Sequence, residues 1–74
     1  MTATTRTLYA LRTSSGRIAI MALAQGADPW LDAVRYMREY LPRDEYLAGV
    51  APATARDVAA VRAVGGYVPE GRLA

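Results

Sequence analysis

A chain of 74 residues is long enough for one domain with a small core, and without cysteine that core must be held by packing, by a partner, or by both. Nine arginines against seven carboxylates leave a net charge of +2, with no basic run that reads as a polybasic tail. Histidine, lysine and cysteine are all missing, which removes the usual metal ligands and the usual nucleophile–base pairs.

No apolar stretch approaches the roughly 18 residues that span a bilayer. Arginines interrupt the N-terminal segment, so no signal peptide and no membrane association are expected, and a cytoplasmic setting is. The absence of lysine and asparagine beside abundant alanine reads as codon bias from a GC-rich genome.

In chain order, residues 1–4 read as a loose tail. Thr5 to Thr13, rich in Thr, Tyr and Leu, predicts a strand, and Ser14-Ser15-Gly16 is turn chemistry. The chain returns as a second strand from Arg17 to Ala24, led by the β-branched Ile18 and Ile20. The register depends on the loop: a two-residue Ser15-Gly16 loop would set Leu11 and Tyr9 with Ile20 and Ala22, whereas the favoured three-residue Ser-Ser-Gly loop, a type I turn closed by a left-handed glycine, would pair Thr13 with Arg17. Thr7, Tyr9 and Leu11 would then face Leu23, Met21 and Ala19.

The run Ile18–Ala24 is apolar without alternation, so both faces of this strand would be buried and it reads as a central strand. Two helices on opposite faces of a sheet would make three layers, which is a great deal for about 25 helical residues. The expectation is therefore that a partner, such as a second copy of the chain, completes one face or edge.

Asp28 is a good N-cap and Pro29 fits the first helical position. The helix Pro29–Leu41 places Trp30, Val34, Met37 and Leu41 on one stripe, with Trp30 expected in the core. Asp32–Arg35 and Arg35–Glu39 have ion-pair spacing, and Pro42 ends the helix. Tyr46 to Ala51 reads as a short third strand, with Pro52 suited to an edge. Thr54 and Asp57 have capping-box spacing for a second helix. Val58, Val61 and Val64 share one of its faces, and Gly65-Gly66 stop it. Residues 68–74 read as another loose tail. The fold expected is α+β over a single domain of residues 1–74: an N-terminal antiparallel hairpin, with a short third strand, packed by two α-helices.

No catalytic constellation emerges. Ser14 and Ser15 lie in a turn with no base in reach, and Asp44-Glu45 read as a solvated loop pair. No catalytic, cofactor-binding or metal-binding residue is assigned. Tyr, Trp and Arg dominate protein-interface hot spots, and one tryptophan with five tyrosines is a rich supply for so short a chain. Tyr36 sits on the rim of the helix's apolar arc, and Tyr40 and Tyr46 bracket the helix end. The expected partner surface is Arg35, Tyr36, Arg38, Glu39, Tyr40, Arg43, Asp44 and Tyr46. Nucleic acid is the alternative partner, through a basic hairpin tip of Arg6, Arg12 and Arg17. Against it stand the low net charge and the absence of a basic stripe.

A hairpin ending in Ile20-Met21, then Gly26-Ala27-Asp28, an amphipathic helix, an extended segment with Pro52 and an Asp57-Val58 pair, with Gly16 in the turn, resembles a group of small proteins. They are encoded by phages and prophages of alphaproteobacteria. The tail "VGGYVPEGRLA" departs from that pattern, which ends in aromatic residues. The resemblance implies a mobile-element origin and carries over no catalytic residue. By analogy with anti-CRISPR proteins, it points to a small module that binds and inhibits a host protein or defence complex. A structural phage component is a third expectation.

Overall fold

A computed structural model describes residues 5–73. The loose tail expected over residues 1–4, and residue 74 of the one expected over 68–74, lie outside the described residues. The order of elements is β1 (Thr7–Thr13), β2 (Ile18–Leu23), α1 (Pro29–Tyr40), β3 (Leu47–Pro52) and α2 (Ala55–Ala63). The expected α+β arrangement is present: an antiparallel hairpin extended by a third strand, with two helices.

The hairpin forms in the three-residue-loop register. Leu11 pairs with Ala19, Tyr9 with Met21 and Thr7 with Leu23. The Thr13 N–H donates to the Arg17 carbonyl at 3.0 Å and the Gly16 N–H to the Thr13 carbonyl at 3.0 Å. Gly16 takes φ +87°, which closes this turn and which a side chain would resist.

The strand order is β2-β1-β3, all antiparallel, so β1 is central and β2 lies at an edge. This corrects the reading of β2 as the central strand. The physical reason is that β1 is apolar on both faces as well: Leu8 and Ala10 point one way, Leu11 and Tyr9 the other. It can therefore be paired on both sides, and β3 returns to its free side. A register shift between Arg12 and Thr13 marks an irregularity in that pairing.

The two helices cover opposite faces. On one, Leu11, Ala19, Met21 and Leu23 pack with Ala33 and Met37 of α1. On the other, Leu8, Ala10 and Ile20 pack with Ala53 and with Val61 of α2. This overturns the argument that three layers are too many for the chain. Alanine at positions 10, 19, 33 and 53 lets short helices approach a sheet only three strands wide.

Local signals place the helix ends. The Asp28 carboxylate accepts the N–H groups of Trp30 (3.0 Å) and Leu31 (3.2 Å), and Pro29 opens α1. In α2 the Thr54 hydroxyl accepts the Asp57 N–H at 3.2 Å, and the Asp57 carboxylate accepts the Thr54 N–H at 3.0 Å, a complete capping box. The helix closes with Gly66 N–H donating to the Val61 carbonyl and Gly65 N–H to that of Arg62, the paired bonds of a Schellman motif.

Trp30, expected in the core, is outside it, and Val64 does not join Val58 and Val61 against the sheet. Trp30 is 53% exposed, because the buried arc of α1 is centred on Ala33 and Met37 and Trp30 sits at its margin in the first turn. Val64 is 84% exposed, because α2 stops at Ala63 and Val64 is its C-cap.

Residues 68–73 contain no helix or named strand, as an irregular tail should, but they are tied down. Arg72 forms a parallel bridge with Thr7. The Leu8 N–H donates to the Arg72 carbonyl and the Arg72 N–H to the Arg6 carbonyl, both at 2.9 Å. A Cβ on Gly71 would lie 2.7 Å from Leu8 Cδ2 and 3.0 Å from the Arg6 carbonyl oxygen, so only glycine allows the tail this approach.

Candidate protein-binding edge

Thr13 and Arg17 are a hydrogen-bonded pair of the hairpin ladder. In an antiparallel ladder such pairs recur every second residue, so Ala19, Met21 and Leu23 aim their backbone groups at β1. Ile18, Ile20 and Ala22 turn theirs away from it, along the outer edge of the sheet. At one point the edge is touched by the chain itself: Arg6 Nη1 donates to the Ala22 carbonyl over a long 3.4 Å. The other edge of the sheet, on β3, is guarded by Pro52, which pairs with Tyr9 and has no N–H to offer.

A groove of about 500 Å³ wraps the β2 edge from Ile20 to Leu23. One wall comes from α1, with Asp32, Arg35, Tyr36, Glu39 and Tyr40; the other comes from the tail, with Tyr67, Pro69 and Glu70. The helical spacing of 32, 35, 36, 39 and 40 puts these side chains on one face of α1. The Tyr36 and Tyr40 rings lie 4.8 Å apart, tilted by 49°. Partial burial of Tyr36, followed by the neighbouring Tyr40, raises its phenol above the usual pKa of 10.0, so Tyr36 stays a hydroxyl donor. Arg35 pairs with Asp32 at 3.9 Å rather than with Glu39. Tyr40 and Tyr67 are 65% and 77% exposed, a large aromatic surface facing one strand edge from two sides.

Four of the eight residues expected to meet a protein, Arg35, Tyr36, Glu39 and Tyr40, are thus brought together at this groove. Arg38 is exposed on α1 and absent from the groove lining, and Arg43 and Asp44 are exposed in the α1–β3 loop. Tyr46 sits beside the hairpin turn, its N–H donating to Ser14 Oγ at 3.1 Å and its carbonyl accepting the Ser14 N–H at 2.9 Å. Sequence reasoning missed Tyr67 and Glu70. They lie some thirty residues from Tyr36 along the chain, and no local pattern shows that the tail folds back.

The three arginines expected to form a basic tip do not form one. Arg6 precedes β1, at the end of the hairpin away from the turn. Arg12 pairs with Asp57 at 2.8 Å. Arg17 pairs with Glu45 at 3.3 Å. Glu45 also accepts hydrogen bonds from Thr13 Oγ1, at 2.6 Å, and from Ser15 Oγ. These contacts, the Ser15 hydroxyl foremost, then Thr13, with Arg17 adding to them, hold the Glu45 carboxyl below its usual pKa of 4.5. Asp57 is likewise held below its usual 3.8, chiefly by the Thr54 N–H, with the Thr54 hydroxyl and Arg12 assisting. Both clusters join distant segments: Glu45 clamps the loop before β3 to the hairpin turn, and Asp57 clamps α2 to β1.

Among the described residues, no group of three or more carboxylates stands close enough to hold a metal ion, and no helix is long and apolar enough to cross a membrane. No protein-family model matches the chain, and neither a curated protein nor a solved structure is detectably similar to it.

Proposed function

We propose that this chain is a non-catalytic protein-binding module that takes up an extended polypeptide segment along the outer edge of β2. The observation that carries the reading is the run of outward backbone groups at Ile18, Ile20 and Ala22, of which Ile20 and Ala22 are set between the Tyr36–Tyr40 wall and the Tyr67–Pro69 wall. Main-chain hydrogen bonds to such an edge supply affinity, and pockets for alternate side chains supply selectivity. Rigid aromatic walls add contact area at low cost in conformational entropy. Joined to the resemblance to phage-encoded proteins, the reading extends to an inhibitor whose partner is a host protein or a defence complex. Nucleic-acid binding is the less favoured reading because Arg12 and Arg17 are already paired with carboxylates.

Selection of displayed random peptides on the wild-type chain tests this, with Ala22→Pro as the counter-target. Proline at 22 removes an outward N–H while leaving the ladder to β1 intact. Selected peptides should be extended, should lose measurable binding to Ala22→Pro, and should bind Tyr36→Ala about tenfold more weakly, near 1.4 kcal/mol. Peptides that bind a folded Ala22→Pro variant equally well overturn the edge as the site. Salt-sensitive, micromolar binding to random duplex DNA would replace the reading with a nucleic-acid regulator.

A further inference from the structure

The partner that the β2 edge fits best on its own chemistry is β2 itself. We infer that two copies of this chain pair antiparallel through β2, about a two-fold axis at Ile20, to make a continuous six-stranded sheet. The inference rests on the strand-binding reading above and names its occupant.

Three observations carry it. First, the outward backbone groups belong to Ile18, Ile20 and Ala22, which are symmetric about Ile20. A two-fold axis there sets Ile20 against Ile20 and Ile18 against Ala22 in both directions. Every outward N–H and carbonyl of the strand then finds a partner. The cost is the Arg6 contact to the Ala22 carbonyl, a long one at 3.4 Å.

Second, the pleat is preserved. In that register residues with even numbers stay on the α2 face of both copies and residues with odd numbers stay on the α1 face. Ile18 and Ala22, both only partly buried within one copy, come to lie side by side.

Third, the exposed apolar side chains on the α2 face are placed in complementary fashion. Tyr67 stands beside the Ala22 end of β2. A shallow, mainly apolar hollow formed by Gly16, Arg17, Ile18, Ala60, Val61 and Val64 stands at its other end. The antiparallel axis brings the Ala22 end of one copy to the Ile18 end of its mate. Tyr67, 77% exposed, is thereby carried toward the hollow bordered by Val64, 84% exposed. Two of the largest apolar exposures in the chain cover each other, twice per dimer.

Sedimentation of the full chain over a dilution series tests the pairing, with circular dichroism to confirm that each variant is folded. The wild-type chain should sediment as a dimer that dissociates on dilution, and a folded Ala22→Pro variant should show half that mass at every concentration. A second test does not depend on tolerance of proline. Tyr67→Cys with Val64→Cys in one chain should give an oxidised, covalently linked dimer, whereas Tyr46→Cys with Val64→Cys should not. A wild-type chain that is monomeric at the highest concentration, or a dimer unchanged in folded Ala22→Pro, overturns the inference. Neither result bears on peptide binding. If selected peptides still need the wild-type edge, strand binding stands and self-pairing falls; if they do not, strand binding falls on its own test.

Discussion

The Glu45 carboxylate accepts the Thr13 and Ser15 hydroxyls and faces the Arg17 guanidinium. Each contact favours the charged form, and the same holds for Asp57 between Thr54 and Arg12. A carboxyl whose folded-state pKa lies below its ordinary value adds stability above that ordinary value, here 4.5 for Glu45 and 3.8 for Asp57. That contribution disappears as the pH falls through the lowered folded-state value. The expected outcome is that wild type loses stability from just above pH 4.5 downward, and that Glu45→Gln is less stable at neutral pH by a margin that shrinks on acidification. Urea unfolding midpoints at a series of pH values measure it. A margin that stays constant with pH would show that the Glu45 charge contributes nothing. The adjacent pair Asp44-Glu45 looks like solvated charge in the sequence because the hydroxyls that bind Glu45 are about thirty positions earlier.

At the scale of elements, the tail is the least expected and the most easily tested. Gly71 passes Leu8 and the Arg6 carbonyl too closely for a Cβ. Gly71→Ala should therefore displace the Arg72 bridge and uncover Leu8, costing on the order of 1–3 kcal/mol. Denaturant unfolding should show the loss, and amide exchange at Leu8 should quicken, since its N–H donates to Arg72. An unchanged midpoint with a protected Leu8 amide would mean that the tail is not held by this contact. What was legible in the sequence is what is local. Asp28-Pro29 sets the start of α1 and Thr54 and Asp57 set the start of α2, while Ser-Ser-Gly favours the observed hairpin register without excluding the two-residue loop. The order of strands was not legible, because β1 and β2 are both apolar on two faces and either could have been central. The burial of α1 was legible only in part. The period marks an apolar arc, but tertiary contact decides that Ala33, not Trp30, lies at its centre. Of the candidate site, the α1 wall could be read from helical spacing, whereas the tail wall and the strand edge depend on contacts distant in sequence.

Across the whole molecule, β1 is shared by both cores. Leu11 is fully buried toward α1, while Leu8 and Ala10 are buried toward α2. Damage to one face should therefore be felt on the other. Leu11→Ala should cost about 2–5 kcal/mol and quicken amide exchange in α2 as much as in α1, since β1 cannot leave one layer and remain in the other. Faster exchange confined to α1 would show two independent layers.

The bridge from Arg72 to Thr7 also bears on how the chain acquires its shape. As the chain is synthesised, β1 takes its partners in turn from β2, from β3 and finally from the segment that follows α2. During translation the amide of Leu8 waits for a carbonyl more than sixty residues away. The hairpin can form early and β3 completes the sheet, but the bridge that ties down the start of β1 closes only when Arg72 has left the ribosome. A fold this small, with both helices ordinarily quick to form, is thus bound to the slower kinetics of long-range closure.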